Sequence, residues 1–170
     1  EHRLESSDVS PEDFCQARML LVRLGDADLR LNRPEDARNW RQRHLVLCRQ
    51  LVAENAQQPD ALRELADSLR RIGDVERVAG ETRPALEHYQ ASLDLCERIA
   101  ADTGESAESL RELSLALCRV ADVDALAGRT ESALGGYRRG REIISRSIRN
   151  NGPSLDGWVQ LSQIQERLGQ

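Results

Sequence analysis

Residues 58–80 read QPDALRELADSLRRIGDVERVAG, and residues 106–128, one period of 48 residues further on, read SAESLRELSLALCRVADVDALAG. In the first stretch Leu62, Leu65, Leu69, Ile72, Val75 and Ala79 step by three or four, which puts them on one face of a helix. The second stretch repeats that face as Leu110, Leu113, Leu117, Val120, Val123 and Ala127. The template extends both ways, to Phe14, Ala17, Leu21, Leu24 and Leu31 upstream and to Trp158, Leu161 and Leu168 downstream. Leu24-Gly25-Asp26, Ile72-Gly73-Asp74, Val120-Ala121-Asp122 and Leu168-Gly169-Gln170 fall in register without a gap. Self-similarity at such a period marks a solenoid, whose units bury their apolar faces only by stacking.

Each unit carries two helices. The first ones open on Ser10-Pro11-Glu12, Gln58-Pro59-Asp60, Ser106-Ala107-Glu108 and Ser154-Leu155-Asp156. Serine caps free amides, proline suits the first helical position, and an acidic neighbour favours the positive end of the helix dipole. Asn32, Gly80 and Gly128 are placed to end them. Second helices are predicted to begin near Pro34, Pro84 and Ser132. Their inward faces read Ala37, His44, Cys48 and Leu51, then Ala85, Tyr89, Cys96 and Ile99, then Ala133, Tyr137, Ile144 and Ile148, with Ser147 in the slot of Ile99. So short a link between two amphipathic helices gives an antiparallel pair. The expected organisation is one all-α domain over 1–170, with units 10–57, 58–105 and 106–153 and a partial fourth at 154–170. The start without methionine and the ending in mid-unit read as a piece cut from a larger protein.

Composition agrees with helices. Two tryptophans, two tyrosines and one phenylalanine are all the aromatics, so Leu, Ile, Val and Ala must build the core. The net charge of -5 opposes a general attraction to nucleic-acid phosphates. Cys15, Cys48, Cys96 and Cys118 form no C-x-x-C pair and fit a reduced, cytoplasmic setting. No apolar run is long enough to cross a membrane.

The small residues at 25, 73 and 121, Gly80 and Gly128, Ala37, Ala85 and Ala133, and Tyr89 and Tyr137 form a pattern that resembles the tetratricopeptide repeat. The resemblance implies a right-handed α-solenoid. At 48 residues the unit exceeds the family's usual 34 and looks like the kinesin-light-chain-like arrays of large bacterial proteins. There such arrays are joined to effectors such as CHAT-like proteases, NTPases or kinases. It further implies a scaffold or sensor that binds a protein or peptide segment in its concave groove, without enzymatic activity or a cofactor. A spacer between domains and a peptide-gated regulator are the alternatives.

By the family's spacing, the groove-facing residues are Arg23 and Asp26, Arg71 and Asp74, Arg119 and Asp122, and Arg167. One reading makes them a polar ladder whose guanidiniums donate forked hydrogen bonds to an extended partner. The other pairs each arginine with the aspartate three residues on, along one helix face. The aspartates repel a carboxylate terminus, so a ligand of mixed charge is preferred. Charge reversal at Arg71 and Arg119 is expected to weaken binding and leave melting unchanged. A second basic face, Arg138, Arg139, Arg141, Arg146 and Arg149 against Glu142, reads as a solvated surface or as a dock for an acidic surface, a neighbouring domain or, less fittingly, nucleic acid. Gly135, Gly136 and Gly140 in that helix predict close approach of a neighbour.

No catalytic motif is present: there is no G-x-S-x-G elbow and no H-E-x-x-H pair. The carboxylates fall almost entirely on outward faces of the helical template. His44 and Cys48 share a face, yet two ligands do not close a metal site, and Cys96 and Ile144 in the slot of Cys48 mark a core position.

Overall fold

The computed structural model describes residues 11–56 and 58–169. They form seven helices: α1 Pro11–Arg30, α2 Pro34–Glu54, α3 Pro59–Val78, α4 Thr82–Thr103, α5 Ala107–Leu126, α6 Thr130–Asn151 and α7 Leu155–Leu168. Ser106 and Ser154 cap α5 and α7 by accepting from the amides of Ser109 and Gly157, both at 3.1 Å. Ser10 lies outside the described residues.

Three first helices end in the same turn. Asn32, Gly80 and Gly128 take φ of 56°, 79° and 73°. The residue after each donates back five positions, Arg33 to Asp28, Glu81 to Glu76 and Arg129 to Asp124, each at 2.8 Å. This closing turn needs left-handed backbone, which glycine adopts freely and asparagine tolerates. The next helix starts almost at once, so α4 and α6 begin at Thr82 and Thr130, two residues before the predicted Pro84 and Ser132.

Every helix packs on its neighbours in sequence, and first helices touch again at α3–α5 and α5–α7. The apolar core runs between and within the pairs. Leu93, Cys96, Leu110, Leu113, Leu117 and Ile143 join units two and three, and Ile164 of α7 enters a cluster with Cys118, Ala121, Tyr137 and Ile144.

Close approach within a pair is set by a large residue on the second helix against a small one on the first. A Cβ at Gly73 would stand 2.9 Å from the Tyr89 ring, and one at Gly25 would stand 3.0 Å from Nε of Arg41. Unit three has Ala121 in the glycine slot and moves the glycine across the interface: a Cβ at Gly136 would lie 2.8 Å from that of Ala121. Gly140 likewise faces Cys118 Sγ, at 3.1 Å from its virtual Cβ, but Gly135 has nothing within 4 Å, so the expected close approach fails there.

Other expectations also shift. Trp158 and Leu31 are 54% and 61% exposed. Trp158 is in register with the buried Leu62 and Leu110, but no second helix follows α7 among the described residues. Ala17, Ala79 and Ala127 are exposed as well, lying at the open end and at helix termini. Glu76 and Asp124 are buried against the outward-face rule, because each accepts hydrogen bonds from the opening turns of the following helix. Ser147 stays buried in its apolar slot, its hydroxyl 3.5 Å from the Ala107 carbonyl, while Ile148 packs beside it.

Candidate partner-binding surface

The charged ladder is spent mainly between repeats. Arg71 Nη1 reaches Asp26 at 3.5 Å, Arg119 Nε lies 3.4 Å from Asp74, and Arg167 Nε donates to Asp122 at 2.9 Å. In each case the arginine of one first helix meets the aspartate of the preceding one. Within the ladder, among the described residues, the pairing of an arginine with the aspartate three residues on occurs only at Arg119 and Asp122, 3.4 Å apart. Arg71 instead takes Asp67 on its own helix. Asp67 lies on the N-terminal side of Arg71, toward which helical side chains lean, although Arg70 and Arg119 also reach Asp74 and Asp122 placed after them.

Each aspartate has a further partner on its own second helix. Tyr89 donates to Asp74 at 2.7 Å and Tyr137 to Asp122 at 2.8 Å. In the same register unit one carries Arg41, 2% exposed, which ion-pairs with Asp26. Burial, and after it the carboxylate neighbours, raise both tyrosine hydroxyls above their ordinary range, keeping them protonated donors. Burial lowers Arg41, and Asp26 opposes that shift. Sequence reading passed over Arg41 because an arginine in an aromatic slot breaks the pattern of residue types. The 48-residue register with Tyr89 and Tyr137 was the available signal. Arg23 stands apart from the other three arginines: it is exposed and has no ion-pair partner among the described residues.

A cleft of about 400 Å³ opens where three successive first helices run side by side. Arg18 and Met19 of α1, Asp60, Arg63, Glu64 and Asp67 of α3, and Glu108 and Glu112 of α5 line it, together with Cys15, Val22 and the buried His44. Arg18 ion-pairs with Glu64, and Arg63 with Asp60 at 2.7 Å and Glu112 at 3.7 Å. A smaller opening continues along Arg70, Arg111 and Leu115. Burial, and then Glu108, raise the Glu112 carboxyl. Burial works against ionised Asp67, yet Arg70 and Arg71 hold it below its usual range. The site thus alternates carboxylates and guanidiniums, with Glu108 and Asp60 exposed at the rim. None of these groups belongs to the ladder, although Asp67 pairs with the ladder's Arg71. The periodic sequence contains them as the columns 12/60/108 and 64/112, but only the stacking of three helices brings them to one place.

The second basic face is partly neutralised. Arg139 pairs with Glu97 at 2.7 Å and Arg146 with Glu105 at 2.9 Å, both on the preceding unit. Arg141 is also engaged, whereas Arg138 and Arg149 remain exposed. His44 and Cys48 lie in the core. His44 Nδ1 is 2.9 Å from Ser68 Oγ, and burial takes the imidazole down to about 4 and the Cys48 thiol up to about 11. These are neutral packing groups, poor as a base or a nucleophile. Among the described residues no three His, Cys, Asp or Glu side chains gather to hold a metal, and no helix is long and apolar enough to cross a membrane.

No protein-family model matches the sequence, and no curated protein matches it either. Solved structures do resemble the fold. The de novo designed helical repeat protein DHR64 matches at a TM-score of 0.54 and 17% identity, over 93% of this chain and 94% of that one. MamA matches at a TM-score of 0.39 and 15% identity, over 93% and 86%. The likeness to DHR64, with the seven consecutively packed helices, makes this chain an all-α helical-repeat solenoid.

Proposed function

We propose that this chain is a protein-interaction scaffold that holds a segment of a partner protein in the cleft between α1, α3 and α5. The observation that carries the reading is the cleft itself: an open concavity between three first helices, lined by interleaved carboxylates and arginines. A helical-repeat fold offers such a surface to peptides, and its mixed lining selects a segment of mixed charge, with basic groups toward Asp60 and Glu108. The ladder arginines and aspartates frame this surface and fix the spacing of its helices. The 48-residue unit and the small-on-large contacts of Gly73 and Tyr89 support reading the repeats as long, kinesin-light-chain-like tetratricopeptide units. By that resemblance alone, the partner is an effector of the CHAT-like protease, NTPase or kinase class in a bacterial signalling or defence protein.

The test is selection of a random peptide library on the immobilised chain, followed by titration of the enriched peptides against variants. Asp60→Arg and Glu108→Arg alter exposed groups of the first turns of α3 and α5; each should cost about 1 kcal/mol in melting, and together they should weaken those peptides about tenfold while the chain stays folded. Enriched peptides that bind the double variant as tightly as the parent chain would exclude the cleft.

A further inference from the structure

Helix α1 carries Gln16, Leu20 and Arg23 in register with Glu64, Ser68 and Arg71, with Glu112, Ala116 and Arg119, and with Gln160, Ile164 and Arg167. In α3, α5 and α7 this row is a docking row. Ser68, Ala116 and Ile164 are 0%, 3% and 1% exposed, and each arginine reaches the aspartate of the preceding first helix. Glu64 and Glu112 meet Arg18 and Arg63, and Gln160 donates to the Arg111 carbonyl at 3.2 Å. In α1 the same row is open: Leu20 is 56% exposed beside Met19 at 53%, and Arg23 has no ion pair among the described residues. A shallow cleft of about 500 Å³ runs along Asp13, Gln16, Met19, Leu20 and Arg23.

At Gln16, Leu20 and Arg23 the row of α1 copies that of α7, with a glutamine, a branched aliphatic and an arginine, whereas Asp13 stands where α3, α5 and α7 bury Ala61, Ser109 and Gly157. What α7 docks on therefore describes what α1 would accept. That surface is the Arg111 carbonyl, the cluster of Cys118, Ala121, Tyr137 and Ile144 around Ile164, and Asp122 under Arg167. We propose that Gln16, Leu20 and Arg23 form a docking face for a helix pair of this same repeat type, built like α5–α6. Its first helix brings an aspartate to Arg23 and a free carbonyl to Gln16, and the pair offers a socket of small and aromatic side chains to Leu20. Charge sets the register of the occupant: Arg23 accepts a carboxylate at its end of the cleft, and Asp13 disfavours one at the other.

A labelled synthetic peptide spanning residues 106–153 is the probe, titrated into the full chain by fluorescence anisotropy. Saturable binding is expected, weakened about tenfold by Arg23→Glu or Leu20→Asp and restored when the Arg23→Glu chain meets an Asp122→Arg peptide. In a second arm the same sequence is fused in register ahead of Ser10, which decides the matter if the free peptide stays unfolded. There Arg23→Glu should lower the melting midpoint of the fusion and leave that of the chain unchanged. Tracer binding indifferent to both substitutions, or a fusion as insensitive to Arg23→Glu as the chain, overturns the proposal.

Discussion

The hydroxyl of Tyr89 donates to Asp74 across the α3–α4 pair at 2.7 Å, and it does so beneath Arg119 of the next unit, whose Nε lies 3.4 Å from the same carboxylate. One side chain thus closes its own helix pair and anchors its neighbour. Tyr89→Phe keeps the ring on Gly73 and removes only the donor. It should cost about 1 kcal/mol in urea unfolding, with Asp74 still held by Arg70 at 3.1 Å.

Arg119 lies between Asp74 and Asp122, so reversing its charge sets it against two carboxylates at once. Arg119→Glu should destabilise by about 1–2 kcal/mol, and the loss should shrink in molar salt. This replaces the expectation, drawn from sequence, that charge reversal at Arg71 and Arg119 leaves melting unchanged. Thermal unfolding at low and high salt checks it.

The exchange of glycine between the two sides of the pair predicts a coupling. Gly136→Ala drives a Cβ to 2.8 Å from that of Ala121, and overpacking should outweigh the gain in helix propensity by about 1–2 kcal/mol. In an Ala121→Gly background the same substitution should become neutral or stabilising. A double-mutant cycle with no interaction energy would refute the account.

His44 gives the fold an acid sensitivity. Its folded value is about 4 against an ordinary 6.5, chiefly through burial. Between those values the unfolded chain binds a proton that the folded chain refuses, so stability is complete above 6.5 and falls as pH drops toward 4. The loss should reach about 3 kcal/mol, and His44→Gln should abolish that part of the slope. Urea midpoints across the range measure both.

Thiol chemistry should distinguish Cys15 from the rest. Burial pushes Cys48 up to about 11 and Cys96 and Cys118 up to about 12, whereas Cys15 is exposed. A thiol reagent should modify Cys15 alone in the native chain and the other three only on unfolding. Native labelling of Cys96 would contradict the packing around it.

The repeat, the helix pairs and the core faces were legible because each rests on local rules: spacing of apolar residues, caps, and closing turns. Gly80 and Gly128 marked their turns for that reason. The partners of the ladder were not legible. Arg119 meets Asp74 at 45 residues' separation, three short of the period, and no rule for neighbours on one helix suggests such a step. The cleft escaped for a similar reason, since Arg63 and Glu112 become neighbours only through the lateral spacing of α3 and α5. Gly135 shows the opposite error: its residue type suggested a tight contact, and its direction on α6 left it in open space.

The aspartates also join two length scales of folding. Tyr137 and Asp122 are 15 residues apart and Arg167 and Asp122 are 45 apart, so the first contact closes a shorter loop at lower entropic cost. Helix pairs should therefore form as separate nuclei before they associate. The carboxylate already gripped by its tyrosine is then fixed in place for the incoming guanidinium, and assembly spreads along the chain from whichever pair closes first.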